Sequence, residues 1–271
     1  FVNQFFDKNG NIIANSYKNF HSFKTDAGLF KTSSPLDSLD GFKKNLKIVS
    51  LISKYHSLSN IISEDVLKNI SESNVCNIKA PVYRNQILSE RIFRCGYYLS
   101  QIKKNIHFNN NDKFIFLDLG GGFGSLSRLL MHFFPNTKGI LIDQPEICTI
   151  AYYYLKSNFP QKKIKLLNDF ESKKFKIDEK EIENYDFYIL PTWAIENIDS
   201  NLINLTINTV SLGEMSKEWG KYYMENINRL TKDYFYSVNR KNSSDSIWSG
   251  YGHYSYKIDG KWIALIYKSS P

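Results

Sequence analysis

The first third of the chain carries apolar residues at steps of three and four positions, a period typical of helices with one buried face. One helix is predicted from Phe42 to Leu58. A shorter one is predicted from Ser63 to about Ile70, because a serine followed by two acidic residues is typical of a helix start. A third is predicted from Ser89 to Ile106. The predicted buried faces are Phe42, Leu46, Val49, Ile52 and Tyr55 in the first helix and Ile92, Cys95, Leu99 and Ile102 in the third.

The pattern changes after the polar segment Asn109–Asp112, where a domain boundary is predicted between a helical region, 1–112, and a second domain, 113–271. Short apolar runs there alternate with segments long enough for crossover helices, which is typical of a parallel sheet with helices on both faces. Seven strands are expected, with the last two forming an antiparallel pair at the sheet edge. The runs are Phe114–Leu119, Gly139–Asp143, Lys163–Leu167, Tyr185–Leu190, Thr206–Leu212, Tyr234–Asn239 and Trp262–Tyr267.

Residues that are typical of turns occur in two other segments of the chain. The first forty residues are predicted to be loosely structured, and Asn77 to Gln86 is predicted to be a loop because it contains Pro81. The chain begins at Phe1 rather than at Met, so a segment that precedes Phe1 in a longer protein is expected.

The composition of the chain argues against several classes of protein. The net charge is +8, but the lysines are scattered, mostly in pairs, which indicates a solvated surface and no nucleic-acid partner. The three cysteines have no CxxC spacing, so neither a disulfide scaffold nor a zinc ribbon is expected, and a cytoplasmic location is predicted. Apolar runs stay well short of the ~20 residues of a membrane-spanning helix.

A glycine-rich turn is the most informative segment. The apolar strand Phe114–Leu119 runs directly into Gly120, Gly121, Gly122 and Gly124, and a helix is predicted from Ser125 to Phe134. Glycine is required where a turn adopts backbone angles closed to other residues or where a ligand approaches the main chain. A tight turn without ligand is one alternative. A dinucleotide site, G-x-G-x-x-G, is another, although its third glycine falls on a serine in either register.

The register Asp118-x-Gly120-x-Gly122-x-Gly124 resembles motif I of class I S-adenosylmethionine-dependent methyltransferases. The resemblance implies a Rossmann-like methyltransferase fold, a mostly parallel sheet with an antiparallel edge strand. It also implies that the glycines pack against the amino acid part of S-adenosylmethionine and that Asp118 helps to hold its ammonium group. S-adenosylhomocysteine would be the product.

The ends of the following strands supply further candidate cofactor contacts. Asp143 ends the second strand, where a carboxylate can accept hydrogen bonds from both ribose hydroxyls. Asp143 can also cap the helix that begins at Gln144-Pro145, and the two roles are compatible. By the same resemblance, Asp169 after the third strand would face the adenine amino group, with Phe170 flanking the ring; a capped turn is the alternative. Gln144 beside Asp143 and Pro191 at the end of the fourth strand complete the predicted cofactor site.

Four segments together resemble a family of sugar O-methyltransferases from bacterial glycan and antibiotic-sugar pathways. The resemblance spans Phe114 to Arg240 and implies an acceptor that is a sugar, a nucleotide sugar or a glycan precursor. The chain departs from the family at Leu212, where an aromatic residue is commoner, and at Gly213, where Gln is commoner. The segments are Leu117–Gly124, Ile142–Glu146 with Ala151–Leu155, Asn208–Met215 and Tyr236–Arg240.

A sugar hydroxyl must lose its proton as it attacks, so a base is expected near the strand ends. The candidates are His253, in an aromatic loop before the last strand, and Glu214 after the fifth strand. Each has a plain alternative, an ordinary loop histidine and a carboxylate stabilised at a helix N-terminus. The predicted substrate contacts are Trp193, Glu196 and Asn239, although Trp193 and Asn239 could equally serve packing.

Other readings of the cofactor and the function stay open at this stage. Arg84 or Arg94 is a candidate partner for the cofactor carboxylate, with surface ion pairing as the alternative. A divalent metal could activate the hydroxyl, but no tight cluster of Asp, Glu and His indicates a metal site. The competing functions are methylation of another small metabolite, a non-catalytic binding module and a nicotinamide-dependent oxidoreductase. The sequence does not indicate an oligomeric state.

Overall fold

The computed structural model describes residues 41–76, 80–106, 113–170 and 175–239. These residues divide into two compact units, each with its own packing. A helical unit contains the described residues up to 106 together with 123–133 and 149–160. A sheet unit contains 113–122, 134–148 and the described residues from 161 onward. The predicted boundary segment, Asn109–Asp112, lies outside the described residues.

Among its described residues the helical unit contains four α-helices and most of a fifth. They are α1 (Gly41–Leu58), α2 (Glu64–Asn69), α3 (Glu90–Asn105), α4 (Ser125–Phe133) and α5, which begins at Pro145 in the sheet unit and ends at Asn158. The first four agree with the predicted helices to within one or two residues. Ser89 caps α3 by accepting a hydrogen bond from the main-chain N–H of Ile92.

The buried faces of the helices agree with the sequence pattern in α3 but only partly in α1. The predicted α3 residues Ile92, Cys95, Leu99 and Ile102 are all buried. In α1 the prediction is wrong for Leu46 and Val49, which are 54% and 63% exposed. Tyr55 is buried as predicted, Ile52 is partly buried, and Leu51 is buried in place of Leu46 and Val49, so the inward face lies toward the C-terminal half of the helix. The side chain of Phe42 lies outside the described residues.

The predicted loop Asn77–Gln86 contains a small antiparallel hairpin, β1 (Val82–Tyr83) and β2 (Gln86–Ile87). The loop prediction was wrong here because the turn lacks a glycine. Arg84 and Asn85 both adopt positive φ, at 50° and 62°. A two-residue hairpin turn of type I′ requires positive φ at both central positions, and Asn-Gly or Asp-Gly is its usual sequence signal.

The described residues of the sheet unit form six parallel strands, β3 (Phe114–Leu119), β4 (Thr137–Asp143), β5 (Ile164–Leu166), β6 (Phe187–Pro191), β7 (Ile203–Thr209) and β8 (Thr231–Val238). Their order is β5-β6-β4-β3-β7-β8. The helix α6 (Lys217–Leu230) lies in the chain between β7 and β8. This is a Rossmann-like α/β sheet, so the predicted fold class is confirmed. The expected antiparallel edge strand, Trp262–Tyr267, lies outside the described residues.

Neighbouring strands of the sheet are not consecutive in the sequence at two places, between β3 and β7 and between β4 and β6. β6 pairs with β4 and displaces the three-residue strand β5 to the edge of the sheet. As a result, the fourth strand of the sequence, rather than the third, is the neighbour of the strand that ends in Asp143. Among the described residues after β5 and after β6 there are 3-10 turns instead of crossover α-helices; they include Leu167–Asp169 and Thr192–Asn197.

The core of the sheet unit forms around β3, whose six residues are all buried, as expected for a central parallel strand. Apolar side chains of β3, β4, β6 and α6 belong to one buried cluster; it includes Leu117, Ile140, Tyr188, Tyr223 and Ile227. No helix in the described part of the chain combines the length and the apolar character needed to cross a membrane.

Candidate functional site

The candidate site lies where the chain direction across the sheet reverses. From β3 the sheet extends to β4 on one side and to β7 on the other. In open parallel sheets, ligands bind at such a switch point, outside the carboxyl ends of the strands. The glycine-rich turn follows β3, and the segment Val210–Glu214 follows β7, so the sequence motifs meet at this edge.

The glycine turn depends on the absence of side chains. Gly120 and Gly122 adopt φ values of 71° and 57°, in the region that favours glycine. A Cβ atom on Gly120 would overlap the side chain of Ser211, so the exit of β7 packs directly against bare backbone. A Cβ atom on Gly121 would lie 2.7 Å from Cγ of Asp118. Asp118 is 1% exposed, so this carboxyl group is buried beneath the turn.

Asp143 connects the end of β4 to the glycine turn. Its Oδ2 accepts a hydrogen bond of 2.8 Å from the N–H of Gly122, and its Oδ1 accepts one of 2.7 Å from the N–H of Gln144. Burial raises the pKa of Asp143, against the opposing effect of the two N–H donors. A carboxylate has about four acceptor positions, so two remain after these bonds.

A pair of asparagines holds the segment after β7. The buried Asn208 donates to the carbonyl of Leu119 at 2.8 Å and accepts from the N–H of Leu212 at 3.1 Å. Asn239, which follows β8, donates to Oδ1 of Asn208 at 2.8 Å and accepts from the N–H of Gly213 at 3.0 Å. The amide of Asn239 is therefore engaged in holding this segment, and its predicted contact with substrate stays a prediction.

Val210 is strained in the same segment. Its φ is 64°, which is unfavourable for a β-branched side chain, and its N–H donates to the carbonyl of Val238 at 2.7 Å. Strain of about 1–3 kcal/mol persists only where the surrounding structure enforces it, and it is common at functional sites. Here the conformation ends β7 and directs Ser211 onto Gly120.

The end of β6 lies beside Asp143, because Pro191 pairs with Asp143 in the sheet register. The 3-10 turn that follows carries two of the predicted substrate contacts, Trp193 and Glu196. Trp193 is 55% exposed, and Glu196 accepts a hydrogen bond of 2.7 Å from the hydroxyl of Tyr222.

The predicted adenine contacts, Asp169 and Phe170, follow the edge strand β5. Oδ2 of Asp169 accepts a hydrogen bond of 2.7 Å from the N–H of Leu166, which is a capping role. Phe170 stacks on Phe175, with ring centroids 4.2 Å apart, beneath the ammonium group of Lys165. Because β6 lies between β5 and β4 in the sheet, the contact of Asp169 and Phe170 with adenine stays a prediction. Pro191, at the end of β6, is the residue that pairs with Asp143.

The remaining candidates are placed as follows. Glu214 is exposed at the end of the 3-10 turn Leu212–Glu214, and His253 lies outside the described residues. Arg84 lies over the rings of Tyr55 and Tyr83 in the helical unit. Gly124 also belongs to that unit, with φ at 89°. Within the described ranges, no group of three or more His, Cys, Asp or Glu could hold a metal ion.

Sequence reasoning missed four residues at this edge as candidate site residues: Asn208, Ser211, Trp219 and Tyr222. The first two lie in a motif that the sequence analysis singled out, so their position was signalled but not their contacts. Trp219 and Tyr222 lie on α6, which is strongly amphipathic, and no local pattern marks them. Tyr222 contacts Glu196, and Trp219 contacts Tyr222, only once the helix has packed against the sheet.

Solved methyltransferase structures resemble part of this chain. A mitomycin 7-O-methyltransferase is 15% identical over 55% of this chain and 39% of its own, with a TM-score of 0.35. A methyltransferase from Aquifex aeolicus is 16% identical over 55% of this chain and 66% of its own, with a TM-score of 0.35. Human N-acetylserotonin methyltransferase is 19% identical over 44% and 26%, with a TM-score of 0.26.

The matched part thus spans well under half of the mitomycin and N-acetylserotonin enzymes. At TM-scores of 0.35 and below, these likenesses carry no weight for function. No protein-family model and no curated protein matches the chain.

Proposed function

We propose that this chain is an S-adenosylmethionine-dependent methyltransferase and that it methylates a hydroxyl group of a sugar, free, nucleotide-linked or within a glycan precursor. The observation that carries the proposal is the pairing of Asp143 with the glycine turn. A bare turn at the end of the central strand lies within hydrogen-bond distance of a carboxylate that keeps two acceptor positions. A ribose offers two neighbouring hydroxyl donors, which is the number that these positions take.

The site residues fit the cofactor. Gly120, Gly121 and Gly122 would pack against its amino acid part, and Asp143 would bind its ribose. Asp118 lies buried beside Gly121 and is the acidic group that we assign to the cofactor's ammonium. When bound, S-adenosylmethionine supplies a methyl group that is activated by its attachment to a positively charged sulfur.

The chain itself would align the acceptor hydroxyl and take its proton. Glu214 and His253 are the proposed bases, and Glu214 stands on the segment that Asn239 and Asn208 hold in place. Alignment of the reacting groups can contribute about 7–11 kcal/mol to catalysis, so rigidity of this segment matters. Trp193 and Glu196, beyond the end of β6, are proposed to contact the acceptor.

Calorimetry with S-adenosylhomocysteine tests the cofactor. A titration with NADH under the same conditions tests the dinucleotide alternative, and the proposal expects binding of the first only. A transfer assay with radiolabelled S-adenosylmethionine against a panel of sugars and nucleotide sugars then tests the acceptor, with small aromatic acceptors as the second arm. Absence of S-adenosylhomocysteine binding by the intact protein, or turnover of aromatic acceptors alone, would contradict the respective part of the proposal.

A further inference from the structure

Two large aromatic side chains are exposed at the carboxyl edge of the sheet. Trp193, in the 3-10 turn after β6, is 55% exposed, and Trp219, in the first turn of α6, is 58% exposed. Exposure of an indole leaves apolar area in water, and clustered exposed aromatic residues mark binding surfaces.

The two tryptophans belong to one continuous surface. In a 3-10 helix, side chains three residues apart project in the same direction, which places Glu196 beside Trp193. The carboxylate of Glu196 accepts a hydrogen bond of 2.7 Å from Tyr222. Tyr222 in turn meets Trp219 edge to face, with ring centroids 5.6 Å apart. We name these four residues, Trp193, Glu196, Trp219 and Tyr222, the aromatic platform.

The aromatic platform is held rigidly from below. Arg229 of α6 donates to the carbonyl oxygens of Ile195 and Ile198, at 2.9 and 2.5 Å, and so joins the helix to the end of the 3-10 turn. The buried Tyr223 packs against Trp219, with ring centroids 6.2 Å apart. A surface that is already ordered loses little conformational entropy on binding a ligand.

The platform also lies close to the proposed cofactor site. Thr192 follows Pro191, the residue that pairs with Asp143 in the sheet. Burial is the main cause of the raised pKa of Tyr223, which packs against Trp219, and the negative charge of Asp143 adds to it. A ligand on the platform would therefore lie near the proposed methyl donor.

The chemistry of the platform selects a polyhydroxylated ring. Aromatic faces pack against the apolar C–H face of a sugar, and the carboxylate of Glu196 has acceptor positions left for sugar hydroxyls. Its hydrogen bond from Tyr222 keeps this carboxylate in place. A negative carboxylate disfavours a phosphate at the same position, so the neutral ring of the acceptor fits here better than its phosphate groups.

We propose that the aromatic platform binds the sugar ring of the acceptor and that Trp219 and Tyr222 are specificity-determining residues for it. This inference rests on the proposed function, because it takes the neighbouring site to hold the methyl donor. The two can fail separately, since sugar binding is measured without methyl transfer.

Saturation-transfer NMR with methyl glycosides of glucose, galactose, mannose and rhamnose tests the platform in the full chain. We expect saturation transfer from the protein to at least one glycoside, and loss of about tenfold in affinity for it in Trp219→Ala and Trp193→Ala. Glu196→Gln should weaken binding by a similar factor, because a hydrogen bond to a charged group is lost. Trp219→Phe keeps an aromatic face and should retain most of the binding.

Calorimetry with S-adenosylhomocysteine on the same variants separates the two proposals. The affinity for S-adenosylhomocysteine should stay within about twofold of wild type. Val82→Ala, which removes another exposed apolar side chain, is the matched control and should change neither ligand's affinity. Parallel loss of S-adenosylhomocysteine binding in the platform variants, absence of saturation transfer to every glycoside, or stronger binding of 4-nitrophenol than of any glycoside would overturn the inference. A wild-type chain that binds a glycoside but no S-adenosylhomocysteine would instead contradict the proposed function.

Discussion

The carboxylate of Asp143, at the end of β4, accepts a hydrogen bond of 2.8 Å from the main-chain N–H of Gly122, in the turn that follows the neighbouring strand β3. This bond orients the carboxylate toward the edge of the sheet where a nucleoside would bind. It also brings Asp143 and Gly122, 21 positions apart in the chain, together in the proposed cofactor site.

Replacement of this carboxylate should abolish most of the cofactor affinity. Asp143→Asn loses one acceptor oxygen and the negative charge, and we expect S-adenosylhomocysteine to bind about 10- to 100-fold more weakly by calorimetry. Asp186→Asn is the matched control, because Asp186 also accepts from a main-chain N–H, that of Lys163, but precedes β6 at the opposite end of the sheet. Equal losses in the two variants would show that Asp143 acts through stability alone.

The pH dependence of binding should follow the raised pKa of Asp143. Burial raises this pKa above its ordinary value of 3.8, so the ionised form that accepts two ribose hydroxyls is lost at a higher pH than for a free aspartate. The affinity for S-adenosylhomocysteine, measured from about pH 8 down to about pH 4, should fall as the pH passes through the raised pKa. A flat profile over this range would contradict the assignment.

Stability has the opposite dependence on the same group. A raised pKa in the folded state means that Asp143 contributes most to the free energy of unfolding below 3.8, and that this contribution is lost as the pH rises through the raised value. Urea unfolding should therefore show that wild type loses stability relative to Asp143→Asn over that interval. A difference that grows in favour of wild type would count against the effect of burial.

Gly120 should tolerate no side chain, for two separable reasons. Alanine must adopt a φ of 71°, which costs about 1–3 kcal/mol, and its methyl group would overlap Ser211, which costs a further ~1–3 kcal/mol. In the double variant Gly120→Ala with Ser211→Gly, the overlap is removed, so the stability lost to it should be regained, while the stability lost to backbone strain should not. Urea denaturation of the two single variants and the double variant measures this coupling, and strictly additive losses would show that the two residues do not touch.

Substitutions of Asn208 and Asn239 should have strongly coupled effects on the free energy of unfolding. Asn208→Ala leaves the carbonyl of Leu119 and the N–H of Leu212 without their buried partner, at a cost of about 2–4 kcal/mol in the free energy of unfolding. Asn239→Ala should cost less, because Asn239 is only half-buried. A double-mutant cycle should give a coupling energy of about 0.5–3 kcal/mol. If the two substitutions changed the free energy of unfolding independently, Asn239 would not be part of the Asn208 hydrogen-bond network. That result would favour the predicted contact of Asn239 with the substrate.

Local pattern was enough for the elements whose side chains repeat regularly. β3 has the predicted bounds, and α3 has the predicted face, because a continuous apolar run and a regular three- and four-residue period each have one interpretation. β7 begins at Ile203, three positions before the predicted Thr206, because Asn204 interrupts the apolar run. In the folded chain Asn204 accepts from the N–H of Ile115 and donates to Asp233, so a polar residue continues the strand.

The sequence by itself therefore determined the fold class, the glycine turn and the carboxylate that follows the next strand, because backbone conformation at glycine and the direction of parallel strands are local or nearly local properties. Only the tertiary structure decided that β6 lies beside β4, that Ser211 covers Gly120, and that α6 brings Tyr222 to Glu196. These relationships join residues far apart in the chain, and their free energy comes from packing and hydrogen bonds that exist only once the whole sheet has formed.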